Sequence, residues 1–142
     1  MNTKIISARE AVRRLFTEHA YIRHDAWFPT LFGGDRLSCC DEAAIVEVEG
    51  KITALATLAP EGEMTEGVPT IVGLYTVRTY RRQGHGKAVL EAVIRRCIER
   101  GFVKTRIDVL TPKALGAVQA LPQELRERLS VQDQSALGCF LE

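Results

Sequence analysis

Between residues 80 and 87 the chain reads Tyr80-Arg81-Arg82-Gln83-Gly84-His85-Gly86-Lys87. Gly84 and Gly86 let the backbone turn tightly and remove Cβ atoms where a ligand would approach. Downstream, Leu90, Val93, Ile94, Cys97 and Ile98 recur at helical spacing, so the segment feeds directly into a helix. A helix N-terminus offers free N–H groups and the positive end of a dipole, and both attract an anion. Arg81, Arg82 and Lys87 add formal positive charge. A diphosphate is the natural ligand of such a place. Two fuller phosphate motifs do not fit. A Walker A loop needs Gly-Lys-Ser/Thr, but Ala88 follows Lys87; a dinucleotide fingerprint needs a third glycine where Val89 stands.

The elements that must position this loop can be read outward from it. Before it, Thr70 to Val77 is a β-rich run. After it, Gly86 to Arg100 reads as the strongest helix, with Glu91 able to pair with Arg95 and Gly101 as its stop. Val103 to Leu110 reads as a further strand, and Pro112 fits the first turn of a helix over Lys113 to Ala120. Upstream, Ile5 and Ile6 suggest a short first strand. Ser7 and Glu10 then form a capping box that opens a helix with Ala8, Ala11, Val12, Leu15, Phe16 and His19 on one face. His24 to Phe32 carries Trp27, Phe28 and Phe32, is broken by Pro29, and ends at Gly33-Gly34; it reads as a short helix or an aromatic loop that packs on the core. Ala43 to Val48 and Lys51 to Leu58 form a hairpin about Glu49-Gly50. Glu61-Gly62-Glu63 and Glu66-Gly67 mark a loop. Gln123 to Leu129 reads as a polar helix, and of the rest only Leu137 to Leu141 reads as strand. The order predicts a mixed α/β sheet with helices on its faces.

Composition sets the outer limits. A chain of 142 residues, 46% hydrophobic and 26% charged, fits one domain, residues 1–142, around one core. The net charge of +1 comes without a polybasic run, so neither nucleic acid nor an anionic membrane surface is expected as a partner. The first six residues lack the apolar stretch of a signal peptide, and no apolar run approaches bilayer length. Cys39, Cys40, Cys97 and Cys139 show no CxxC spacing and read as reduced thiols, so a cytoplasmic location is expected. Adjacent Cys39 and Cys40 lack the second pair that zinc needs, and no metal is expected.

The segment Arg81-Arg82-Gln83-Gly84-His85-Gly86 resembles the Arg/Gln-x-x-Gly-x-Gly/Ala signature of the GNAT superfamily of N-acetyltransferases. Leu74 to Arg81 before it and Lys87-Ala88-Val89-Leu90 after it are similar to that family too. The resemblance covers roughly Ala44 to Leu121. It implies a mixed, mostly antiparallel sheet flanked by helices on both faces, with the fourth and fifth strands splayed at a bulge in the fourth. It implies acetyl-CoA, or another short acyl-CoA, as co-substrate. Thr76 and Val77 would offer backbone groups to the pantetheine. The N–H groups of Arg82, Gln83, Gly84, Gly86 and Lys87 would cradle the pyrophosphate, with Arg81 and His85 completing the cofactor-binding set. The implied reaction moves an acetyl group to the amine of a small molecule or peptide, with the thioester carbonyl polarised by backbone N–H groups.

The sequence departs from the family pattern at the catalytic positions. Where relatives often place a Glu or His on the fourth strand, this chain has Thr70, Val72 and Gly73, and Val118 stands where a Tyr would protonate the thiolate. From about residue 122 the C-terminal part also lacks the usual final strand pair. Tyr75 could serve as a thiol-side acid or simply pack its ring. Glu47 is a candidate base if its strand borders the acceptor cleft, although an exposed strand carboxylate is the commoner state. His19 reads as a satisfied core or edge histidine, His24 as lying near the acceptor entrance, and His85 as solvent-facing. The alternative to a transferase is a GNAT-like module that holds acyl-CoA as a sensing or structural ligand without turnover. Dimers are frequent among similar proteins, and an exposed last strand invites one.

Overall fold

A computed structural model of the chain describes residues 1–24, 35–60, 67–109 and 112–133. Strand β1 (Thr3–Ser7) runs straight into helix α1 (Ala8–Glu18), and Ser7 marks the junction by accepting a hydrogen bond from the Glu10 N–H at 3.2 Å. That bond satisfies one of the free donors of the first turn. A 3-10 turn (Ala20–His24) and a one-turn helix α2 (Asp35–Ser38) lead to strands β2 (Glu42–Val48) and β3 (Lys51–Ala59). Glu49 and Gly50 join these two strands with φ of 53° and 78°, the paired positive values that a two-residue hairpin requires. Strand β4 (Thr70–Thr76), helix α3 (His85–Glu99), strand β5 (Thr105–Val109), helix α4 (Pro112–Gln119), a single turn α5 (Gln123–Arg126) and strand β6 (Leu129–Asp133) follow. The aromatic segment 25–34, the side chain of His24, the loop 61–66, Cys139 and the expected strand Leu137 to Leu141 lie outside the described residues.

The six strands lie in the sheet in chain order, β1-β2-β3-β4-β5-β6. The first three ladders are antiparallel and the last two parallel. This is the mixed, mostly antiparallel sheet expected. Side-chain alternation sends Ala44, Val46, Ala54, Ala56, Leu58 and Ile71 to one face, where Val89, Leu90, Val93, Ile94 and Cys97 of α3 cover them. Ala43, Ile45, Ile52, Leu55, Tyr75 and Val77 face Ala8, Ala11, Val12 and Leu15 of α1. The small side chains of Ala44, Ala54 and Ala56 let α3 lie close against the strands.

Two interruptions shape this sheet. Val46 opposes Ala54 while Glu47 opposes Ile52, so Thr53 is an extra residue in β3. Thr57 opposes Gly73 while Leu58 opposes Ile71, so Val72 is an extra residue in β4. An inserted residue exchanges the faces beyond it, because side chains alternate with period two. Ile52 and Ala54 therefore point to opposite faces although two apart, and Ile71 and Tyr75 although four apart.

The expected polar helix over Gln123 to Leu129 is corrected: only Gln123–Arg126 is helical, and Leu129 begins β6. Leu121, Leu125 and Leu129 recur every four residues, as a helix would have them, and all three are buried in the α3-side core. Pairing with β5, from Thr105↔Leu129 to Val109↔Asp133, overrides the local preference at Leu129. Tertiary context commonly does so for short segments.

Candidate active site

The loop between β4 and α3 is built from its own hydrogen bonds. A 3-10 turn at Arg78–Tyr80 closes with the Tyr80 N–H on the Val77 carbonyl at 2.8 Å. The Gln83 side-chain amide donates to the Thr79 carbonyl at 3.1 Å, so that side chain stabilises the loop. Arg82 and Gly84 both adopt positive φ, 65° and 84°. The left-handed region costs a non-glycine residue about 1 kcal/mol or more, and Arg82 adopts it nonetheless. Backbone of this handedness turns successive N–H groups toward a common concavity. Gly84 caps α3 and its carbonyl receives the Ala88 N–H at 3.0 Å. The preceding N–H groups of the first turn have no acceptor within the helix. Arg82, Gly84 and Lys87 are exposed there.

The two glycines serve different ends. Gly84 is needed for its φ, since a Cβ there would meet only the Met1 Cε at an ordinary 3.6 Å. Gly86 is needed for space, since its Cβ would come within 3.2 Å of the Thr76 Oγ1. At Gly86 the close neighbour is the protein's own strand β4.

His85 is a correction. Expected in solvent, it is buried, and its Nδ1 lies 2.6 Å from the Thr53 Oγ1. Its ring also tilts against Tyr80 at 5.4 Å between centroids. Burial holds its pKa below the ordinary 6.5. The side chain thus turns away from the exposed side of the loop. Arg81 turns inward as well: its Nε donates to the Thr76 carbonyl at 3.0 Å, and its guanidinium carbon sits 5.6 Å from the centroid of the Tyr75 ring.

Strands β4 and β5 pair only at Thr70↔Arg106 and Ile71↔Ile107. Beyond the Val72 bulge the described residues of the two strands pair no further, and the rest of β4 runs beside this gap in the ladder as far as the loop. Of the two backbone positions expected to face this gap, Val77 donates its N–H to the Thr53 carbonyl at 2.8 Å and accepts the Tyr80 N–H on its carbonyl. Thr76 lies at the end of the gap, with its carbonyl engaged by Arg81. Tyr75 is the sole titratable side chain of β4, and its ring is buried in the α1-side cluster.

Glu47 does not join this group. It sits under α1, 3.0 Å from the Lys4 Nζ and 3.5 Å from the Arg14 guanidinium. The hydrogen bond from Lys4 holds its carboxyl below the usual range, the wrong direction for a base working near neutrality. Val118 is buried against α3 in the core. His19 is the satisfied core histidine expected, with Nε2 2.7 Å from the Ile52 carbonyl. Cys39, Cys40 and Cys97 form no disulfide, and burial pushes the Cys97 thiol up. Among the described residues no cluster of three or more His, Cys, Asp or Glu could hold a metal, and no helix is long and apolar enough to cross a membrane. A groove of about 220 Å³ between β1 and α3, lined by Lys4, Ile5, Ala92 and Arg95 among others, includes no loop residue.

A bulged fourth strand that parts from the fifth and runs into a left-handed loop at a helix N-terminus narrows the choice of family. The Acetyltransferase (GNAT) family profile matches residues 7–121. The chain belongs to the GNAT acetyltransferase family. The match begins well before Ala44, so α1 is part of the family pattern too. Solved structures agree on the fold. An aminoglycoside acetyltransferase from an uncultured soil metagenomic sample, in complex with sisomicin, superposes with a TM-score of 0.60 at 16% identity, covering 87% of this chain and 88% of that one. A predicted acetyltransferase with acetyl-CoA from Clostridium acetobutylicum gives 0.56 at 15% identity, covering 83% and 86%. A ribosomal-protein-alanine N-acetyltransferase from Brucella melitensis biovar Abortus 2308 gives 0.52 at 17%, covering 75% and 79%. A comparison with curated proteins returns no match. At these identities the likeness is one of fold. In this GNAT chain sequence reasoning missed Thr53, whose one signal was a polar residue inside the apolar run Lys51–Ala59.

Proposed function

We propose that this chain is an N-acetyltransferase that uses acetyl-CoA and acts on the amine of a small molecule or peptide. The observation that carries the reading is the β4–β5 gap ending at the loop of Arg82 to Lys87. Backbone N–H groups of the loop and first turn of α3 bind the diphosphate, helped by the exposed charges of Arg82 and Lys87. The pantetheine lies along β4 as far as Thr76. The amine nitrogen attacks the thioester carbonyl, the carbon–sulfur bond breaks, the acetamide forms, and CoA leaves as the thiolate. Backbone donors near the carbonyl stabilise the oxyanion. The described part of β4 supplies no carboxylate or imidazole, so the amine reacts in its neutral form and the proton it sheds on becoming the acetamide passes to water. Tyr75 is the candidate that returns a proton to the thiolate. The two acetyltransferase structures named for their acceptors, an aminoglycoside enzyme and a ribosomal-protein-alanine enzyme, support an amine acceptor without choosing between small molecule and peptide.

The test is a thermal-shift titration with acetyl-CoA, CoA and ATP, followed by CoA release in the presence of an amine panel. Both CoA species should raise Tm by mass action and ATP should not, and at least one amine should accelerate release above hydrolysis. Stabilisation without acceleration by any amine would select the acyl-CoA-binding module instead. No shift with either CoA species would remove the cofactor assignment.

A further inference from the structure

Thr53 touches both ends of the cofactor loop. It is the extra residue in β3, and a bulge re-aims the groups beside it. Its carbonyl accepts the Val77 N–H at 2.8 Å, where the chain leaves β4. Its hydroxyl meets His85 Nδ1 at 2.6 Å, where the chain enters α3, and donates to the Val46 carbonyl at 3.4 Å. A threonine hydroxyl has one proton. The hydroxyl can pair with Nδ1 in either tautomer of His85, as donor or as acceptor. One residue of a neighbouring strand thus fixes where the loop begins and where the helix starts. Tyr80, packed on His85, ties the intervening 3-10 turn to the same point.

We propose that Thr53 and His85 are positioning residues for the cofactor, a clip that holds the N–H groups of Arg82 to Lys87 in their binding arrangement before any ligand arrives. This rests on the reading of the loop as the diphosphate site. Neither side chain touches the ligand: Thr53 is fully buried and His85 nearly so. The clip lowers the ordering that binding must otherwise supply, which is how preorganisation raises affinity.

Two readouts separate the clip from the cofactor. The first needs no ligand: amide hydrogen exchange at Val77, Tyr80 and Ala88, each donating a hydrogen bond in or beside the loop. Thr53→Val keeps the shape and removes the hydroxyl, leaving a buried ring nitrogen unpaired; exchange at Tyr80 and Ala88 should quicken about tenfold, while amides of α1 stay as they were. Thr53→Ser should restore the parent rates. The second readout is acetyl-CoA affinity by calorimetry, expected to weaken about tenfold in Thr53→Val and to recover to within about twofold in Thr53→Ser. Should Thr53→Val fail to fold, His85→Leu fills the space without the bond and is read in the same two ways. Unchanged exchange overturns the clip whether or not CoA binds. Faster exchange with unchanged affinity overturns its role toward the cofactor. A parent protein that ignores acetyl-CoA overturns the cofactor reading and with it the positioning role, and exchange still decides whether the clip exists.

Discussion

The bulges at Thr53 and Val72 arise in the same way, one residue too many in a strand that is otherwise in register, and they lie on the two ladders of β3. Val72 is followed by separation: β4 leaves β5 after Ile71↔Ile107, and backbone that a sheet would pair is left beside a gap. Thr53 is followed by closure: its carbonyl and hydroxyl reach across to Val77 and His85. The two bulges thus have opposite sequels: one marks the end of pairing between β4 and β5, and the other ties the loop to β3 at Val77 and His85. The proposed site uses both, and they meet at Thr76.

The comparison can be broken most severely at Val72. Deleting it would return β4 to unbroken alternation with Tyr75 still opposite Leu55, so the fold should survive while β4 gains pairing with β5, and acetyl-CoA affinity should fall about a thousandfold or more by calorimetry. Gly86→Glu acts where the two features meet, because even its Cβ crowds Thr76. It adds a negative charge as well, and acetyl-CoA affinity should fall about a hundredfold or more by calorimetry. Gly84→Ala tests backbone handedness alone and should weaken affinity about tenfold, from the 1–2 kcal/mol penalty of the left-handed region. If Tyr75 returns the proton, Tyr75→Phe should lower kcat at least about a hundredfold with KM for acetyl-CoA unchanged; an unaltered kcat would leave the ring a packing role.

On the closing side, acid should loosen the clip. The folded pKa of His85 is lowered by burial, so the unfolded chain takes the proton more readily. Its stabilising contribution is complete above about pH 6.5 and is lost as pH falls below that value. Urea midpoints at pH 7.5 and 5.5 should differ less in His85→Leu than in the parent. The smallest effect belongs to Glu47→Gln, which borders the Thr53 bulge but lies under α1 with Lys4 and Arg14. It should leave kcat unchanged and cost about 1 kcal/mol of stability by urea midpoint.

Much of the frame could be read from residue types. Glu49-Gly50 announced its hairpin, Ser7 and Glu10 the start of α1, and Gly84-His85-Gly86 the loop at a helix start. Each signal is local, because the residue that shows it also satisfies it. The bulges left no such trace. Val72 and Thr53 are ordinary strand residues, and only the pairing partners across the sheet reveal that each is one too many. The placement of Glu47 and His85 was hidden because it depends on partners distant in sequence, Lys4 and Arg14 for one and Thr53 for the other. Leu129 is the converse case, a residue with the right period for a helix that the edge of β5 turned into strand.

The strand order carries a consequence for how the molecule comes into being. Strands β2, β3 and β4 are antiparallel neighbours joined by short connections, whereas β5 and β6 each arrive by a longer parallel crossover. Contacts near in sequence form sooner than distant ones. We expect the meander of β2, β3 and β4 to assemble first; pulse-labelled exchange should show β2 and β3 protected ahead of β5, and simultaneous protection would contradict it. The cleft would then be the seam between an early half and a late half of the same sheet, present only once synthesis and folding have both run to their end.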